Sequence, residues 1–292
     1  MTSAHIRPRR SVLYMPGSNA RALEKSRTLA ADALILDLED AVAPDAKPEA
    51  RALVAAALSQ GGFGKRELIV RVNALDTEWG MADIAMTLKA KPHAVLVPKI
   101  TSAADVARAE DALKAAPAEM ALWCMIETPL ALLNIREIAA KSGEPRSRLR
   151  GFVMGTNDLA KELLAAHTPD RAPMLASLGL ALLGARAYGL AALDGVHNDI
   201  KDEKGFELAC MQGRDMGFDG KTLLHPSQIE TCNRIFSPSP ETVAFSRKVI
   251  AAFDLPENAA KAVLTVDGKM VELLHAESAR RIVAVADAIA AM

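Results

Sequence analysis

The chain is poor in several features that mark large classes of protein. It has only 3 cysteines, Cys124, Cys210 and Cys232, too widely spaced for a Cys-x-x-Cys pair or a Cys/His metal site. An odd, scattered set of thiols argues against a disulfide framework and fits reduced thiols in a cytoplasmic protein. Cys124 lies inside the apolar run ALWCMIE and reads as packing rather than as a nucleophile. An excess of one charge is also missing. With 35 Lys and Arg against 36 Asp and Glu, the net charge is −1, which gives no ground for a general nucleic-acid binder or an anionic-membrane binder. No apolar run approaches the ~20 residues needed to cross a bilayer, and no signal-peptide core opens the chain. Aromatic residues are few, at 4%.

What is present is a chain that is half hydrophobic, dominated by alanine and leucine. That composition suits a helix-rich α/β protein with a substantial core. Short apolar runs recur, each followed by helical periodicity: SVLYM (11–15), ALILDL (33–38), LIVRVN (68–73), AVLVPK (94–99), ALWCMIE (121–127), GFVMGT (151–156), AALDGV (191–196) and KTLLH (221–225). Eight strand–helix units predict a (β/α)8 TIM barrel. An open dinucleotide-binding sheet is the weaker reading, because no glycine fingerprint with a downstream acid follows any strand. The barrel is expected over residues 1–236. Residues 237–292 form a C-terminal helical extension, with helices near 241–253 and 272–291 and a turn at Asp267-Gly268. The basic start, His5, Arg7, Arg9 and Arg10, reads as a solvated tail leading into the first strand.

In a parallel barrel the C-terminal strand ends converge on one site. Here they carry Asp37, Glu39, Asp40, Arg71, Asn73, Lys99, Glu127, Asp158, Asp194 and His225. So many like charges in one place call for a shared ligand. Glu127 and Asp158 can hold one hard cation through oxygen, which points to Mg²⁺ or Mn²⁺; alternatively they cap the helices that follow them. Arg71 interrupts an apolar strand and needs a partner, Glu39 or Asp40. So held, it either grips a substrate carboxylate or forms a purely structural pair. Lys99 either orients polar groups or forms a Schiff base. The backbone around Gly155, Thr156 and Asn157 can hold an anion where a strand turns into a helix.

At these residues the sequence resembles the citrate lyase beta-subunit-like family of the HpcH/HpaI aldolase superfamily. The matching segments are RSVLYMPGSN, ADALILDLEDAV, VRVN, VPKI, MIETPLAL, GTNDLAKEL and GFDGKTLLHPSQI, and they span nearly the whole chain. The resemblance implies a (β/α)8 barrel with a helical extension, assembled as a homotrimer or hexamer. It implies making or breaking a carbon–carbon bond between a 2-oxo acid and an acyl-CoA thioester, as in malyl-, β-methylmalyl- or citramalyl-CoA. On the same basis Glu127 and Asp158 are the expected Mg²⁺ ligands and Arg71 the group that grips the oxo acid. Glu39 and Asp40 orient Arg71 and metal-bound water, while Arg10 and Lys25 contact the phosphates of CoA. Many lyases of the family carry a GxMxD motif whose aspartate reaches a neighbouring subunit's site as acid/base. Here the segment is Gly268-Lys-Met-Val-Glu272, with glutamate at that place. The implied alternatives to C–C cleavage are a malyl-CoA thioesterase and a citryl-thioester lyase subunit of a citrate lyase complex.

Overall fold

The computed structural model describes residues 7–292. Eight parallel strands close into a barrel in chain order, β8 pairing back onto β1. They are β1 (Ser11–Pro16), β2 (Ala33–Asp37), β3 (Glu67–Arg71), β4 (Ala94–Val97), β5 (Ala121–Ile126), β6 (Leu149–Met154), β7 (Ala191–Asp194) and β8 (Gly220–Leu223). Helices join successive strands, as right-handed parallel crossovers require. Alternation along each strand sorts the side chains into two layers. Val12, Ile35, Ile69, Leu96, Met125 and Val153 belong to the interior cluster, and Leu13, Leu34, Leu36, Val70 and Val95 to the larger cluster under the helices.

Trp123 is the largest interior side chain and is fully buried. Its register partner is Gly151 on β6, where a Cβ would come within 2.7 Å of the indole. Glycine there is the space that lets the ring lie across the barrel. The Arg9 guanidinium stacks 4.9 Å over the same ring and pairs with Glu67, the first residue of β3. Arg10, just before β1, donates to buried Asp32, just before β2, through Nε at 2.9 Å and Nη2 at 2.7 Å. Arg9 and Arg10 are therefore not part of a solvated tail, since both are committed to carboxylates at the N-terminal rim. His5 lies outside the described residues.

Residues Arg9–Phe236 make one compact unit, and Ser237–Met292 belong to a second. In the second, helix Pro240–Phe253 is capped by Ser239, whose hydroxyl accepts from the Thr242 N–H at 3.2 Å. Strands β9 (Val263–Val266) and β10 (Lys269–Glu272) then form an antiparallel hairpin before helix Leu273–Ala290. Asp267 at φ 49° and Gly268 at φ 77° supply the two left-handed residues of a tight hairpin turn. The extension is thus not purely helical, and Val266 and Val271 of the hairpin share its core with Val249, Ala276 and Ala279. Among the described residues, no helix is long and apolar enough to cross a membrane.

Candidate active site

Arg71 ends β3, and Asp37 ends β2 directly opposite it in the register. The pair forms a fork: Arg71 Nε donates to Asp37 Oδ1 at 2.7 Å and Nη2 to Oδ2 at 2.6 Å. Nη1 reaches Glu39 Oε2 at 2.7 Å and Asp40 Oδ2 at 3.2 Å. The Tyr14 ring lies 5.0 Å from the guanidinium carbon, and Met125 Sδ 3.9 Å from Nη1. Sequence reasoning gave Arg71 a partner in Glu39 or Asp40. Both make contact, but Asp37 holds the guanidinium plane, and its bidentate geometry is the stronger interaction. Burial works against the charge on Arg71, yet Asp37 and Glu39 hold it well above its ordinary pKa. Burial also pushes Glu39 up to about 8, opposed by Arg71 and reinforced by Asp40.

The Glu39 loop has its own anchor. Asp37 carboxylate oxygens accept from the Glu39 N–H at 2.9 Å and the Ala41 N–H at 3.2 Å. Buried Lys47 donates to the carbonyls of Leu38 and Glu39, both at 3.0 Å, and to Asn73 Oδ1 at 2.6 Å. Asn73 in turn bonds Asp83 at 2.7 Å. Neither Lys47 nor Asp83 was visible as a site residue, because their roles depend on helices that pack behind the strand ends.

Glu127 follows β5 and is wholly buried. Its Oε1 accepts the Lys99 backbone N–H at 2.7 Å, while Oε2 is buried without a hydrogen-bond partner. Lys99 Nζ lies 2.8 Å from Asp158 Oδ1 and 3.3 Å from Glu127 Oε1, so one cation joins both acids. Burial pushes the Glu127 carboxyl up, opposed by Lys99. Burial also opposes the Lys99 ammonium, but Asp158 and Glu127 together hold its pKa above the ordinary lysine value. A lysine so protonated is a poor Schiff-base nucleophile.

The donor set suits a hard divalent cation. Two carboxylates already share a cation, and one buried oxygen is unused. Among the described residues no cluster of three or more His, Cys, Asp or Glu forms a fuller cage. Glu127 and Asp158 would therefore supply two oxygens, with water or substrate completing the shell, as Mg²⁺ commonly requires. Gly155 is part of this site for a steric reason: a Cβ there would lie 2.5 Å from Glu127 Cβ and 2.8 Å from Oε2.

The other expected positions make contacts of their own. The Gly155 N–H is bonded to the Ile126 carbonyl at 3.0 Å, so it is not available to hold an anion. Thr156 is buried at the start of helix Thr156–Glu162, and Asn157 exchanges amide hydrogen bonds with Asn198 at 3.1 and 2.8 Å. Arg10 sits at the opposite rim with Asp32, which removes it from the site. Lys25 is exposed on helix Ala20–Ser26. Asp194 turns outward: its carboxylate takes Arg171 Nη1 and Lys221 Nζ at 2.8 Å each and lies against Gly213 of helix Glu203–Met216. His225 caps the turn Pro226–Gln228 through Nδ1, accepting from the Ser227 N–H at 3.2 Å. Glu272 is the residue before helix Leu273–Ala290, its N–H donating to His275 Nδ1 at 2.9 Å.

A closed parallel barrel that gathers an anchored arginine and two carboxylates beyond its C-terminal strand ends has the layout in which barrel enzymes place their sites. The chain belongs to the HpcH/HpaI aldolase/citrate lyase family, which it matches over residues 10–226. It is 54% identical over 284 residues to a (3S)-malyl-CoA thioesterase of Cereibacter sphaeroides, covering 97% of this chain and 96% of that one. It is 35% identical to the citrate lyase subunit beta of Escherichia coli, covering 91% and 89%. Among solved structures it is similar to CitE from Mycobacterium tuberculosis in complex with magnesium, acetoacetate and coenzyme A. There the TM-score is 0.72 and the identity 30%, covering 94% of this chain and 97% of that one.

Proposed function

We propose that this chain is a Mg²⁺-dependent enzyme acting on a malyl-type 3-hydroxyacyl-CoA thioester, cleaving or forming its C–C bond to give an acyl-CoA and a 2-oxo acid such as glyoxylate or pyruvate. The reading rests chiefly on one observation: Glu127 and Asp158 share the cation Lys99 Nζ while Glu127 Oε2 is buried and unpaired. The magnesium, oxo-acid and CoA ligands of the CitE relative support it.

When bound, Mg²⁺ supplies a Lewis acid that stabilises negative charge on substrate oxygens; Glu127 and Asp158 would hold it. The Asp37 fork fixes the Arg71 plane. That leaves the Nη1 edge, shared with Glu39 and exposed Asp40, to meet a substrate carboxylate. A base takes the substrate hydroxyl proton, the O–H electrons form the new carbonyl, and the C–C pair becomes the enolate of the acyl thioester. A proton then returns to its α-carbon. Glu39, with a pKa of about 8, is a candidate to exchange protons near neutrality. Glu272 of a neighbouring copy in a homotrimer or hexamer is the second candidate, with the segment 237–292 packing on that neighbour.

A second reading has its own support. The 54% identical relative is a thioesterase, and Glu272 stands where many family lyases have aspartate. The same site would then bind the same substrate while water attacks the thioester carbonyl. Incubation with malyl-, β-methylmalyl- and citramalyl-CoA plus Mg²⁺ separates the two. Oxo acid without free thiol supports cleavage, and free thiol without oxo acid supports hydrolysis. No product from the isolated chain contradicts both and leaves a citryl-thioester subunit acting with partners, the role that the Escherichia coli relative's name suggests.

A further inference from the structure

We propose that Lys99 is a built-in competitor for the metal site: its ammonium occupies the Glu127–Asp158 pair, and a divalent cation binds by displacing it. The inference rests on the reading of those two acids as metal ligands and adds a residue that sets how tightly they bind.

Lys99 makes two separable contributions. Its backbone N–H orients Glu127 by donating to Oε1 at 2.7 Å, and this bond is independent of the side chain. Its ammonium then lies 2.8 Å from Asp158 and 3.3 Å from Glu127, between the two oxygens a metal would need. An ammonium and a divalent cation cannot share one oxygen pair, because their repulsion at about 4 Å in a partly buried site is severe. The lysine can also leave. Its side chain is 39% exposed and Asp158 31%, and four flexible carbons give it a path to solvent. Glu127, fully buried, cannot follow. Lys99 adopts φ 57°, a left-handed conformation that non-glycine residues seldom take. That turn lets one residue offer both its N–H and its ammonium to the same carboxylate.

The test is calorimetric titration of Mg²⁺ into the wild-type protein and into Lys99→Asn, Lys99→Gly, Lys99→Arg and Glu127→Gln, without substrate. Asparagine and glycine both tolerate positive φ, so the loop is preserved, and two neutral variants guard against one failing to fold. Loss of the competing ion pair is expected to tighten Mg²⁺ binding about five- to tenfold in both. Lys99→Arg keeps a competing cation and stays within about twofold of wild type. Equal or weaker binding in the folded neutral variants would overturn the inference and make Lys99 a mere organiser of the acids. The underlying metal-site reading fails separately, if Glu127→Gln binds Mg²⁺ as well as wild type does.

Discussion

Gly155→Ala tests how tightly the site is built. The backbone at Gly155, φ −89° and ψ 73°, has negative φ, so alanine brings no left-handed strain. All the cost falls on Glu127. The new methyl would lie 2.5 Å from Glu127 Cβ and 2.8 Å from Oε2, with Met125 Cγ at 3.3 Å on another side. Relief requires Glu127 Cβ, which is tied to its backbone, to retreat by about 1 Å, an overpacking change that typically costs about 1–3 kcal/mol. The larger effect is on chemistry. A displacement of about 1 Å in a positioning group can cost on the order of 100-fold in rate. The assay is Mg²⁺-dependent turnover beside thermal unfolding: a modest fall in melting temperature with a roughly 100-fold loss of kcat is expected. A variant that binds Mg²⁺ and turns over like wild type would refute the claim that Gly155 exists to make room for Glu127.

Asp37→Ala should remove the fork that holds buried Arg71 and destabilise the fold by about 3–5 kcal/mol, read by urea unfolding, with loss of turnover. Asp40→Ala, whose carboxylate is 64% exposed, should change stability by no more than about 1 kcal/mol. Asp194→Ala would strand fully buried Lys221 and most of Arg171 without their carboxylate, again at about 3–5 kcal/mol, while sparing Mg²⁺ affinity. Glu39 gives a pH test with a definite sign. Its pKa is about 8 in the fold and about 4.3 unfolded, so the folded state keeps the proton over that interval. Its contribution is full at about pH 4 and is lost as pH rises through 8. The melting temperature of wild type relative to Glu39→Gln should therefore fall across that range, and a pH-independent difference would contradict the assignment.

All eight barrel strands were legible because their bodies are short runs of Val, Ile and Leu bounded by polar residues, and their ends fell within two residues of the observed ones. The hairpin in the extension was read only as a turn. Its strands are only four residues each, and β10, Lys269-Met-Val-Glu272, carries a charge at both ends, so the apolar signal is shorter and weaker than in the barrel strands. Glu127 and Arg71 were legible because a charged residue ending an apolar run is conspicuous, and Asp158 because it follows the turn after β6 at the start of helix Thr156–Glu162. Asp37 as the main partner of Arg71 was not, because that pairing depends on the β2–β3 register, which no local pattern encodes. Arg10 was misplaced for a related reason. It precedes β1, and in a parallel barrel that puts it at the rim away from the site. Lys47 and Asp83 act from helices behind the strand ends, beyond what spacing along one strand can show.

The central claim is that Glu127 and Asp158 hold the metal on which catalysis depends. Its most direct test measures malyl-CoA consumption by the wild-type chain, by chelator-treated protein before and after Mg²⁺ is restored, and by Glu127→Gln. Activity should vanish with chelation, return with Mg²⁺, and be absent in the variant at every Mg²⁺ concentration. Consumption that survives the chelator, or that Glu127→Gln retains, would contradict it.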